Sequence, residues 1–89
     1  MTDNQTLQSG FVDIQLSRQV DVEGAQVGAL RMREPTVDDQ LAADALGGTD
    51  AMKEVTTFAN LCNVSPVTIR KLPLRDYRKL QTAYMTFID

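Results

Sequence analysis

Between residues 12 and 22 every even position except Arg18 is apolar: Val12, Ile14, Leu16, Val20 and Val22 alternate with Asp13, Gln15, Ser17, Gln19 and Asp21. A period of two predicts a strand with one wet and one buried face. Glu23-Gly24 suits a two-residue turn, because glycine takes positive φ without a Cβ penalty. The chain then returns through Ala25, Val27, Leu30 and Met32. The apolar positions change parity on the way back, so keeping them on one face needs an irregularity. Gly28-Ala29 is the natural bulge, with Val22 opposite Ala25, Val20 opposite Val27 and Leu16 opposite Met32; a break at Arg18 is the alternative. The pattern predicts a hairpin over about 12–33.

At Glu34-Pro35-Thr36 the period switches from two to about 3.6. Proline cannot continue a paired strand, and Thr36 can cap a helix whose first turn holds Asp38 and Asp39. Val37, Leu41, Ala42, Ala45 and Leu46 then recur at helical spacing up to Gly47-Gly48, predicting a helix over 37–46. Thr49-Asp50 can cap a second, over 50–62, with Ala51, Val55, Phe58, Ala59 and Cys62 as its apolar stripe and Lys53, Glu54, Thr57 and Asn60 outside it. Ser65-Pro66 starts a short helix over 66–71, carrying Val67, Ile69 and Leu72, that Pro73 interrupts. Pro73 falls in the first turn of a last helix over 74–88. Its stripe is Leu74, Tyr77, Leu80, Tyr84, Phe87 and Ile88, and its wet side is Arg75, Arg78, Lys79 and Gln81.

The pattern therefore predicts an α+β fold, an N-terminal antiparallel β-hairpin packed against a bundle of three to four helices. A lone hairpin is marginal in water, so the helices must cover its apolar face, with Leu16, Leu30, Phe58 and Leu80 as central core residues. Residues 1–10 read as a polar leader without fixed structure and 11–89 as one domain, a length that suits a single core.

Composition narrows the function. Hydrophobic residues at 43% and charged residues at 24% are ordinary globular values, and no apolar run approaches the ~20 residues needed to span a bilayer, so neither membrane nor anchor is expected. The chain has no histidine and a single cysteine, Cys62, which falls on an apolar stripe. That removes an internal disulfide, the usual zinc sets and the commonest general base. Asp38-Asp39 reads as compensation of a helix dipole, not as a metal site. No phosphate loop, nucleophile elbow or calcium loop is present. The expectation is a protein that is not an enzyme, with no catalytic residue, no metal and no cofactor. Net charge is −3, yet residues 65–88 carry Arg70, Lys71, Arg75, Arg78 and Lys79 against Asp76 alone. Two differently charged faces suit a partner or a homo-oligomer.

Two longer signals remain. Residues 57–71 are similar to a helix-turn-helix, with Ala59, Asn63, Val64 and Ile69 at small, turn and core positions, so that Ser65, Thr68, Arg70 and Lys71 would face a DNA groove. Pro73 truncates that recognition helix, and a chain of pI near 4.7 neutralises phosphates only locally, which makes nucleic acid the lesser reading.

The second signal runs from Val12 to Phe87. Ile14-Gln-Leu-Ser, Val20-Asp-Val-Glu-Gly, the joint Leu30-Arg-Met-Arg-Glu-Pro-Thr-Val with Asp39 and Leu41-Ala-Ala, Gly47-Gly48, Leu61 through Val64-Ser65-Pro66, and Leu72-Pro-Leu-Arg-Asp-Tyr77 with Leu80-Gln81 follow one another in order and spacing. In this the chain resembles the small tail assembly chaperones of Mu-like and P2-like contractile-tailed bacteriophages. The resemblance implies a non-enzymatic phage or prophage protein of the host bacterial cytoplasm. It would bind the tape measure protein, keep it soluble, assist the tail tube protein in assembling around it, and be absent from the mature virion.

The family offers no catalytic signature to carry over, so the binding residues must be inferred from apolar positions outside the stripes. Met52 and Leu61 lie off the main stripe of the second helix and Met85 off that of the last, which makes them candidate contact surface. Tyr77, Tyr84 and Phe87 sit at the core edge, with the tyrosine hydroxyls reaching the rim, from which they can join the contact.

Overall fold

The computed structural model describes residues 10–89; apart from Gly10, the predicted leader lies outside the described residues. An antiparallel hairpin of β1 (Phe11–Val22) and β2 (Ala25–Arg33) is followed by four helices, α1 (Val37–Leu46), α2 (Asp50–Cys62), α3 (Pro66–Arg70) and α4 (Leu74–Ile88). This is the α+β arrangement that the change of hydrophobic period predicts. α2 packs over β2 and α4 over β1, so both cover the apolar face of the sheet. Ile14, Leu30, Met32, Phe58, Leu61, Ile69 and Leu80 meet in one core, and Phe58 is flanked by Tyr77 and Tyr84, each with its ring centroid 5.5 Å away. Leu16 sits at the rim of this core, only partly buried.

Glu23 and Gly24 both have positive φ, 52° and 87°, the pattern of a type I′ turn whose twist matches that of the strands. Val22 pairs with Ala25 and Val20 with Val27, as the alternation requires. Beyond that pair the register departs from the bulge expected at Gly28-Ala29. Val12, not Leu16, lies opposite Met32, and Ile14 lies opposite Leu30. Residues 16–19 of β1 stand against Gly28 alone, so the distortion belongs to β1, around Arg18.

The reason for that distortion lies on α4. Asp76 is fully buried, and its two carboxylate oxygens accept the Ser17 backbone N–H and the Ser17 hydroxyl, each at 2.9 Å. Lys79 donates to the Gln15 carbonyl at 2.8 Å and lies 3.6 Å from Asp76. Backbone groups that leave the ladder at the distortion must find partners elsewhere, and the first turns of α4 supply them. Asp76 is the third residue of α4, where a carboxylate also complements the helix dipole. Pro73 stands one residue ahead of α4, at its N-cap, and not within the first turn.

α2 also turns differently from its expected stripe. Thr57 and Leu61 are buried, whereas Ala51 is exposed. The Thr57 hydroxyl can sit inside because it donates to the Lys53 carbonyl one turn back, at 2.9 Å. No described helix is long and apolar enough to cross a membrane.

Candidate partner-binding surface

The joint between β2 and α1 is fixed by charge. Thr36 caps α1 with extended backbone; its hydroxyl accepts the Asp39 N–H, and the Asp39 carboxylate accepts the Thr36 N–H at 2.8 Å, a reciprocal capping box. Arg33, the last residue of β2, adds a bidentate pair to the same carboxylate at 2.8 and 2.7 Å. The Arg33 guanidinium, helped by the Thr36 N–H and hydroxyl, outweighs burial and holds the Asp39 carboxyl well below the usual carboxylate range. A charge-assisted fork therefore sets the angle at which α1 leaves the sheet.

That angle decides which face of α1 meets the molecule. Asp39 and Ala43, one turn apart, are its only buried residues. Positions 37, 41 and 45 lie on the far side of a 3.6-residue helix from 39 and 43. The stripe expected to cover the hairpin is consequently split: Val37, 74% exposed, Leu41, 59% exposed, and Ala45 point outward, whereas Leu46 lies on the same side as Asp39 and is 72% exposed at the end of the helix. A long apolar face opposite a small, ion-paired inner face is the reverse of an ordinary surface helix. Burying Val37 and Leu41 against a partner would contribute roughly 1.5–3 kcal/mol each.

The individual candidate residues separate sharply. Met52, at the start of α2 beside Gly48, and Met85 on α4 are exposed at 43% and 53%. Leu61, predicted as contact surface, is instead a core residue, 2% exposed, because the α2 face it occupies is covered by the rest of the molecule. Tyr77, Tyr84 and Phe87 are partly buried against the core. The Tyr77 hydroxyl donates to Glu54 at 2.5 Å, and burial, with this hydrogen bond, raises its pKa. Cys62 is buried without a partner to activate it, and burial pushes its thiol up to about 12. The four DNA candidates do not form a groove-reading face. Ser65 caps α3 by accepting the Val67 N–H, and Thr68 is buried with its hydroxyl directed at the Asp21 carbonyl. Ser65, Arg70 and Lys71 are exposed, but they flank or end a helix of only five residues. The residues that sequence reasoning missed as surface are Val37, Leu41 and Leu46; their periodicity was visible, but not the direction it would face.

Among the described residues no three acidic or cysteine side chains gather as a metal-holding group. The fold and this surface define a small α+β domain with an exposed apolar helix face. The chain belongs to the phage tail assembly chaperones: the family described as "Phage tail assembly chaperone proteins, E, or 41 or 14" matches residues 13–89, nearly all of β1 and every later element. No curated protein and no solved structure matches it.

Proposed function

We propose that this chaperone binds the tape measure protein of a phage tail in the host cytoplasm, keeps it soluble, assists tube subunits in assembling around it, and leaves before the virion is complete. It acts by binding and not by catalysis. The observation that carries the reading is the outward apolar face of α1, on a chain that belongs to the tail assembly chaperones. A long, helix-rich polypeptide awaiting assembly exposes apolar stripes of its own, and a helix presenting apolar residues at i, i+4 and i+8 can shield such a stripe by side-by-side packing. Met52 and Met85 add adaptable apolar surface to this reading.

Co-expression with a tape measure fragment that is insoluble alone tests it. The fragment should become soluble and co-purify with the chaperone, and Leu41→Glu should abolish both effects while shifting chaperone stability by no more than about 0.5 kcal/mol, as befits an exposed site. A fragment that stays insoluble with the unaltered chaperone would refute the function. Solubilisation that survives Leu41→Glu would refute the assignment to α1.

A further inference from the structure

A second surface lies on the opposite strand edge, and it differs from α1 in chemistry. α4 runs alongside β1 and leaves an open groove of about 540 Å³ between them. Its apolar lining includes Val12, Ile14 and Ala83, and its charged lining includes Arg75, Arg78 and Lys79. Among the described residues the only acidic side chain lining it is Asp13, and that carboxylate is already paired with Arg31 at 2.8 Å. Arg78 forms no ion pair among the described residues.

The backbone along this groove is unsatisfied in a regular way. Gly10 accepts the Glu34 N–H from the β2 side, whereas Gln15 turns its carbonyl away from β2 and accepts Lys79. In an antiparallel pair the groups alternate, so positions 10, 12 and 14 bond β2 while Phe11, Asp13 and Gln15 aim theirs away from it, along the β1 edge that leads into the groove. Among the described residues, only the Gln15 carbonyl of these edge groups meets a protein partner. A free strand edge is a template for another strand.

From these features we infer that the β1 edge and the basic wall of α4 form a docking site for an extended acidic peptide segment of a partner protein, added as a third strand. Main-chain hydrogen bonds to Phe11 and Asp13 would supply the pairing, and alternate side chains would reach the apolar floor or the cationic wall. Charge complementarity selects an acidic occupant. The spacing of edge amides and the apolar floor favour a peptide over a phosphate backbone. This site does not depend on α1 or on what α1 binds.

The test uses the full chain and a fluorescent peptide of about eight residues alternating valine and glutamate, the length of an ordinary strand. Anisotropy should show binding that weakens with salt, and amide hydrogen exchange should slow at Phe11 and Asp13. Arg78→Glu, at an exposed position with no internal ion pair, should weaken binding about tenfold, while Leu41→Glu leaves it unchanged. A lysine-for-glutamate peptide and a proline-interrupted peptide should both fail to bind. Equal binding by the proline peptide, no slowing at Phe11 and Asp13, or tighter binding of a single-stranded oligonucleotide would each overturn the assignment. So would a dimer of the chain itself that Arg78→Glu dissolves.

Discussion

Replacing Asp76 by alanine tests the link between α4 and the distorted strand most directly. The buried carboxylate receives two hydrogen bonds of 2.9 Å from Ser17 and lies 3.6 Å from Lys79. Its loss removes the acceptor of the part-buried Ser17 backbone N–H at a point where β1 has no ladder partner, and losing a hydrogen bond to a charged group costs about 1.5–3 kcal/mol. The Ser17 hydroxyl loses a charged acceptor worth a further ~1 kcal/mol but can rotate toward solvent. The partly exposed Lys79 adds little. The sum is about 3 kcal/mol, a large share of the ~5–10 kcal/mol expected of a domain of this size, and corresponds to a fall in melting temperature of roughly 12–24 °C. Asp76→Asn keeps one carbonyl acceptor for the Ser17 N–H and should cost about half as much. Urea titration followed by circular dichroism at fixed pH measures both. A double-mutant cycle with Ser17→Ala should give a coupling of about 1 kcal/mol. A loss below about 1 kcal/mol for Asp76→Ala, or strict additivity with Ser17→Ala, would refute the claim that this carboxylate holds the distortion in place.

Acid should expose the same dependence. Burial tends to raise the Asp76 carboxyl, but the Ser17 N–H and hydroxyl and the Lys79 ammonium outweigh it, so its pKa is lowered; that of Asp39 is lowered by Arg33 and Thr36. Both contributions are fully present above the unfolded carboxylate value near pH 4 and are lost as pH falls through the lower folded values. Stability measured by urea midpoint should therefore decline below about pH 4, less steeply in Asp76→Ala; an unchanged slope would contradict the assignment. Arg33→Ala, removing a partly exposed fork, should cost about 1 kcal/mol overall and speed amide exchange throughout α1; unaltered exchange there would show that the fork does not anchor it. Leu61→Ala should cost about 2–5 kcal/mol by leaving a core cavity, whereas Met52→Ala should stay within about 0.5 kcal/mol, and similar losses at both would contradict their placement. Cys62, with its thiol pushed up to about 12 and its side chain buried, should resist iodoacetamide at neutral pH until urea unfolds the chain; rapid labelling of the native protein would refute its burial.

The sequence by itself determined the elements and their order. The period-two run of β1, the Glu23-Gly24 turn, the capping residues Thr36, Thr49 and Ser65, and the Gly47-Gly48 stop act within a few residues of one another, so their effect can be read locally. The resemblance carried by their order is likewise legible, and the family match covers the same elements. Only the tertiary structure decided how the strands are registered and which faces are covered. The parity change in β2 showed that an irregularity was needed. The local pattern left two sites open, Gly28-Ala29 and the break at Arg18; the choice was set by Asp76, 59 residues away from Ser17, which stabilises the distortion in β1. Periodicity likewise marks a helix face as apolar but is silent on what covers it. The stripe on α1 reads as core because hydrophobic faces are usually buried within their own chain; here the Arg33–Asp39 fork turns Val37, Leu41 and Ala45 outward and leaves them exposed. Leu61 is the converse case, an off-stripe residue drawn into the core because the packed α2 is covered over a wider arc than its narrow stripe suggested.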